Sequence, residues 1–240
     1  MISDQARQQP TLRLAFGHWR RVASTLTDRW LGIHTESLDV PQAATEEKDA
    51  HWYVPLAYGQ ARRVLRSLRL TNDDVVYDIG CGFGRVVCLA ARYRVLEVIG
   101  VECDERFGLQ AALNVRRLRR PASPARIEVN DAAVANYDRA TVVILFNPFG
   151  AATTREVLKR LETSRAGQSG SVRIAYINPT AEEEFERCGW LTCTSRSRSA
   201  RFRHTTSYWE SKPLACGAAR PILQVDAATL ANRQFVNVPK

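Results

Sequence analysis

Val75-Val-Tyr-Asp78-Ile-Gly80-Cys81-Gly82-Phe-Gly84-Arg85 is a short apolar strand that ends in an acid and runs straight into three glycines. Such a loop must turn sharply out of its strand, let the backbone approach a ligand closely and open the next helix without a Cβ in the way. A dinucleotide fingerprint spaces its glycines G-x-G-x-x-G, whereas here the spacing is G-x-G-x-G with Arg85 following. The spacing points to an adenosine-containing cofactor and favours S-adenosylmethionine over NAD.

Outward from this loop, apolar runs and amphipathic stretches alternate. The pattern predicts strands at 75–79, 97–102, 125–129, 142–146 and 171–177 and helices near 84–93, 104–119, 153–163 and 180–188. Strands alternating with helices of this size give an α/β fold, a mostly parallel sheet wound on both faces. Val142-Val-Ile-Leu-Phe146 is apolar throughout, as a central strand buried on both sides must be. After Gly189 two further strands read as a closing antiparallel hairpin joined by an Arg-rich turn, Arg196 to Arg203.

Ahead of the loop, a helix at 59–70 buries Ala61, Val64, Leu65 and Leu68, and Asn72-Asp73-Asp74 turns the chain into the first strand. Earlier still, Leu12, Ala15, Trp19, Val22, Leu26 and Trp30 recur at helical spacing over 10–33, so a helical extension packing its stripe against the main domain is expected. Residues 35–50 are polar and read as a linker. The expected division is thus 1–50 extension and linker, 51–212 catalytic domain, and 213–240 a proline-containing tail without an assigned role.

With 240 residues, 45% of them hydrophobic and 25% charged, the chain has ordinary globular usage and can bury a sizeable core. No apolar run reaches the roughly 18 residues of a membrane span, and the N-terminal stretch lacks the apolar centre of a signal peptide, so a cytoplasmic location is expected. The six cysteines form no C-x-x-C pair and the four histidines lack metal-ligand spacing, so no metal site is expected. Net charge is +9, carried almost wholly by arginine. Clusters at Arg62 to Arg69, Arg116 to Arg120 and Arg196 to Arg203 leave a polyanionic partner open beside the plainer reading of solvated helix faces.

Polar residues recur where the predicted strands end, the edge at which parallel sheets bind ligands. Glu102 closes the second strand about 20 residues past the loop, where an acid can accept both ribose hydroxyls of an adenosine. Asp78, at the end of the first strand, is placed to meet the ammonium of the cofactor's methionine part. Asp131 follows the third strand and is a candidate acceptor for the adenine amine, with an ordinary turn aspartate as the alternative. Cys81 reads as a small side chain packed under the cofactor rather than a reactive thiol.

Taken in order, Asp78-Ile-Gly-Cys-Gly-Phe-Gly84, Glu102, Asp131 and the polar end of strand four resemble the class I S-adenosylmethionine-dependent methyltransferases over about residues 53–210. The resemblance implies a Rossmann-like seven-stranded sheet with an antiparallel closing strand, the cofactor S-adenosylmethionine, and methyl transfer. Asn147-Pro148-Phe149-Gly150 is similar to the N-P-P-aromatic motif with which nitrogen-methylating members hold the acceptor, implying that Asn147 and Pro148 accept amine hydrogens while Phe149 supports the acceptor. It lacks the second proline, which weighs against a planar nucleobase amine. Tyr53-Val-Pro-Leu-Ala-Tyr58 and the glycine loop resemble small protein-lysine methyltransferases and, more distantly, the non-SET histone lysine methyltransferases. That likeness implies that Tyr53 and Tyr58 close over the cofactor or a lysine channel. A protein lysine is therefore the first expected acceptor. An RNA or DNA base, a small molecule, and a non-catalytic cofactor-binding scaffold follow in that order.

Overall fold

The computed structural model describes residues 10–36, 53–164, 170–198 and 204–211, with main chain alone for 10–20. Its elements are α1 (Pro10–Leu31), α2 (Tyr58–Ser67), β1 (Val75–Ile79), α3 (Arg85–Ala90), β2 (Glu97–Glu102), α4 (Glu105–Arg117), β3 (Ala125–Val129), β4 (Val142–Phe146), α5 (Ala151–Ser164), β5 (Arg173–Ile177), α6 (Glu182–Arg187), β6 (Leu191–Arg198) and β7 (Thr205–Ser211). The seven strands form one sheet in the order β3-β2-β1-β4-β5-β7-β6. All adjacent pairs from β3 to β5 are parallel, and β7 inserts antiparallel between β5 and β6. The expected Rossmann-like α/β sheet with an antiparallel closing strand is the observed one.

Alternation along the central strands divides the core in two. Val76, Val142 and Ile144 face α2, α3 and α4, whereas Val75, Tyr77, Ile79, Val143 and Leu145 face α5 and α6. Both faces are covered, which is why these strands carry no polar alternation. Residue 78 shares the face of Val76, so the acid at the end of β1 is turned toward α3 and is buried.

Four sequence expectations change. Helix α3 ends at Ala90 rather than near 93, because the Ala91 carbonyl accepts the N–H groups of Ala122 and Ser123 instead of continuing the helix. The apolar stripe of α1 is not its packed face over the described side chains: Leu26 and Trp30 are 60% and 55% exposed, while Leu31 and Ile33 enter the core just beyond them. The linker begins later than expected, since Thr35 is fully buried and Glu36 pairs with Arg85. Finally, Arg196 and Arg198 lie on β6 rather than in a turn, and Arg196 ion-pairs with Glu182 and Glu186 of α6. Arg201, Arg203 and the tail 213–240 lie outside the described residues. No helix among the described residues is long and apolar enough to cross a membrane.

Candidate active site

The loop between β1 and α3 turns on glycine. Gly80, Gly82 and Gly84 have φ of 72°, 53° and 76°, in the left-handed region that side chains rarely adopt. Space is closed as well: a Cβ on Gly80 would lie 2.4 Å from Pro148 Cβ, and one on Gly82 would lie 2.2 Å from Tyr53 Cε2. Pro148 and Tyr53, both singled out from sequence, thus wall the loop from two sides.

Glu102, at the end of β2, points at the same loop. Its Oε2 accepts the Gly82 N–H at 2.8 Å and its Oε1 accepts the Asp104 N–H at 3.0 Å, and the side chain is buried. Burial pushes its carboxyl up, against the pull of those two donors. Asp78 is buried across the loop. Burial first, and then the charge of Glu102, push it to about 7, against one backbone hydrogen bond from Val87 that favours the ionised form. Two buried acids with so few donors between them have the chemistry to receive a ligand carrying an ammonium and a pair of hydroxyls, as S-adenosylmethionine does. Cys81 is buried between them, and burial raises its thiol well above the ordinary value, which suits packing rather than nucleophilic use. Asp131 is half-buried beyond β3, its Oδ1 accepting the Ala133 N–H at 2.8 Å in a local turn. Its neighbour Asn130 donates its N–H to the Glu102 carbonyl at 2.9 Å, which brings this turn to the edge of the site.

At the end of β4, Asn147 has φ of 42°, and its Oδ1 accepts the Thr180 hydroxyl at 2.5 Å. The adjacent strand β5 ends the same way, in Asn178-Pro179 with φ of 51° at Asn178. Two Asn-Pro corners with left-handed asparagines therefore stand side by side at the carboxyl edge, a concentration of strained backbone of the kind found at functional sites. In the sequence, Asn178-Pro179 repeats Asn147-Pro148, and that repeat is the signal by which Asn178 is recognisable. Phe149 does not accompany Asn147: it is buried in the core beneath α5 with Val157 and Leu158 and presents no ring to the edge.

The two tyrosines part company. The Tyr53 ring packs, tilted, at 4.7 Å from Phe83 and 5.6 Å from Phe107 over the glycine loop, and its hydroxyl donates to the Thr35 carbonyl at 2.9 Å. Tyr58 sits instead in a buried polar cluster under α1, its hydroxyl donating to Asp28 and the Arg85 guanidinium 4.6 Å above its ring. Burial, with Asp28 beside it, raises its phenol far above the usual value. In the same cluster Arg85 donates to Thr35 Oγ1 at 2.7 Å, to Glu36 at 2.8 Å and to the Leu56 carbonyl at 3.1 Å. Thr35 in turn donates its N–H and hydroxyl to Asp28. Asn114 of α4, fully buried, donates to the carbonyls of both His34 and Phe83. The segment after α1 is thus bolted to the glycine loop through Arg85, Asn114 and Tyr53. Sequence gave no sign of this cluster beyond the position of Arg85 directly behind the last glycine.

Sheet order, glycine corner and buried acids together define a Rossmann-like methyltransferase fold. An RNA methyltransferase from Salinibacter ruber, solved with S-adenosyl-L-homocysteine, superposes with a TM-score of 0.50 at 20% identity, over 72% of this chain and 100% of that one. In sequence, a protein-lysine N-methyltransferase of Saccharolobus islandicus (strain REY15A) is 33% identical over 95 residues, 39% of this chain. The match spans 58% of that relative's length. No family model matches the chain.

Proposed function

We propose that this protein is an S-adenosylmethionine-dependent methyltransferase that methylates the ε-amine of a protein lysine. The observation that carries the cofactor reading is the pair of buried acids, Asp78 and Glu102, set on either side of a glycine corner that no side chain can enter. Glu102 would hold the ribose hydroxyls, Asp78 the ammonium, and the turn at Asp131 the adenine amine. Bound there, the cofactor supplies an electrophilic methyl on a sulfonium. The residues of this chain supply placement: Asn147, pinned by Thr180 at the end of β4, offers its carbonyl groups to the hydrogens of an incoming amine and aims its lone pair along the line of displacement. The amine nitrogen would take the methyl that the cofactor supplies, and its extra proton would pass to solvent. The amine must arrive neutral, and desolvation among Tyr53, Phe83 and Phe107 favours that form.

The lysine reading is supported by the resemblance carried by Tyr53 and the loop and by the partial likeness to a protein-lysine N-methyltransferase. It is tested by incubating the protein with tritiated-methyl S-adenosylmethionine and a lysate of cells lacking its gene. Label should be lost to protease and kept after nuclease. Nuclease-sensitive label would replace lysine by a nucleobase, and no label alongside measurable cofactor binding would leave a small-molecule acceptor or a scaffold. Asn147→Ala should leave the cofactor dissociation constant unchanged and lower turnover on the order of 100-fold, as expected when an orienting contact is lost.

A further inference from the structure

Helices α3 and α4 both start at the glycine-loop edge and run back along the sheet, so their C-terminal ends lie at the opposite, amino edge. Gly84 of the loop abuts Ala111, so the end of α4 lies about 10 Å further along that helix. There the end of α1 is laid against them. Arg119 donates its N–H to the Leu31 carbonyl at 2.8 Å and a guanidinium N–H to the Arg29 carbonyl at 3.3 Å, and Arg92 donates to the Arg119 carbonyl at 2.9 Å. The packing brings Arg29, Arg92 and Arg119 together, and Arg116, Arg117 and Arg120, all exposed, flank Arg119 in the chain. None of these ion-pairs with a described carboxylate, unlike Arg126, Arg139, Arg155, Arg187 and Arg196, but the same is true of Arg62, Arg63 and Arg66 on α2, so the surface is set apart by its aromatic. That aromatic is Trp30, 55% exposed, with the Arg92 guanidinium 4.7 Å above its ring.

We propose that this surface docks single-stranded RNA. Unpaired guanidinium groups at an exposed edge fit a chain of phosphates, and arginine forks suit phosphate better than the nearly absent lysines would. A half-exposed indole already carrying a guanidinium on one side offers a stacking platform, which only an unpaired base can use, and unpaired bases are characteristic of RNA loops and ends rather than of duplex DNA. A strand bound here would act as a tether, raising the local concentration of acceptor proteins carried on RNA. The reading concerns binding alone and stands or falls apart from methyl transfer.

The test is fluorescence anisotropy with a labelled 20-nucleotide single-stranded RNA of mixed sequence, at 50 and 200 mM NaCl. With about four phosphates neutralised, affinity should fall roughly 50-fold between the two salts. Arg116→Glu with Arg120→Glu should weaken binding at least 10-fold and flatten the salt dependence, and Trp30→Ala should weaken it roughly 5-fold or more with the salt dependence kept. Arg62→Glu with Arg66→Glu makes the same charge change on the exposed face of α2, which carries no exposed aromatic, and should stay within twofold. Equal loss in both double variants would show that net charge alone binds RNA and overturns the proposal. So would an indifferent Trp30→Ala, a duplex DNA bound as tightly as the RNA, or an acidic polypeptide displacing the RNA at equal charge concentration.

Discussion

The two edges of the sheet carry opposite chemistry by opposite means. At the carboxyl edge, acids are buried: Asp78 and Glu102 face a corner of glycines and have few donors. At the amino edge, bases are exposed: arginines from the ends of α1 and α4 and from the turns after α3 and α4 share a surface with Trp30, with no described acid to answer them. The first arrangement follows from contiguous sequence, since β1, the loop and the end of β2 are each a few residues long and their spacing fixes who meets whom. The second exists only after α1 has packed across the ends of α3 and α4, and no local pattern announces it. A motif can encode a pocket, whereas a surface patch is encoded by topology.

The sharpest way to break the carboxyl edge is at its corner. Gly82→Arg puts a side chain where the Tyr53 ring lies, on a backbone with φ of 53°, and should abolish measurable S-adenosylmethionine binding by isothermal titration calorimetry. Glu102→Ala leaves the Gly82 and Asp104 N–H groups and any bound hydroxyls unpaired. On the order of 2–3 kcal/mol for such lost partners predicts 30- to 150-fold weaker binding. Wild-type affinity in either variant would remove the cofactor from this corner.

Next in size is the cluster that joins α1 to the loop. Arg85→Ala strands Asp28, which is 1% exposed, and Glu36 without their cation, and removing one partner of a buried pair costs about 3–5 kcal/mol. Urea unfolding followed by circular dichroism should show that loss, and deletion of residues 1–36 should reproduce it. If the loss were under about 1 kcal/mol, the segment would be an appendage and not part of the domain.

These experiments separate what the sequence made legible from what it did not. Strands and their order of chemistry could be read because periodicity and motif spacing are local, and Val142 to Phe146 needed no tertiary information to be called a central strand. Helix ends were less legible, as at Ala91, where a carbonyl is claimed by residues 122 and 123. Least legible were side chains whose role depends on what lies opposite. Tyr53 and Tyr58 sit five positions apart in one motif, yet one covers the glycine loop and the other anchors α1. Phe149 follows the Asn-Pro pair at the edge but turns into the core, because β4 is buried on its α5 side as well.

The contrast between edges also has a pH signature. Asp78 is pushed to about 7 by burial and by Glu102, so at pH 6 most of it is protonated, and it must release that proton to meet an ammonium. Cofactor affinity should therefore rise roughly tenfold from pH 6 to pH 8 and then level off. The stability of the cofactor-free protein should run the other way. A carboxyl whose folded value is raised binds its proton more tightly when folded, so its contribution is full below the unfolded value near 4 and is lost as pH rises through 7. Asp78→Asn should remove both slopes, which calorimetric titration and thermal unfolding at pH 6 and 8 would show. RNA docking at the amino edge, carried by arginine, should be flat over the same range.

The smallest effect lies between the edges, in α2. The inner face of that helix is Ala61, Val64, Leu65 and Leu68, as periodicity requires, but Gln60 shares it at 2% exposure with both polar atoms of its amide unpartnered among the described residues. A buried amide without partners costs about 1–3 kcal/mol relative to an apolar group of similar shape. Gln60→Leu should therefore raise stability by about 1 kcal/mol in urea unfolding and leave cofactor affinity untouched. Because α2 begins just after Tyr53 and its other end is gripped near Arg69 by Arg173 at the start of β5, its first turn lies level with the carboxyl edge, where Asn147 stands. If the stabilised variant also lost turnover, the unpaired amide would belong to the acceptor path, its cost in stability retained for binding. If it kept full turnover, Gln60 would be a core defect and nothing more, and the acceptor contacts would rest on Asn147 and its neighbours alone.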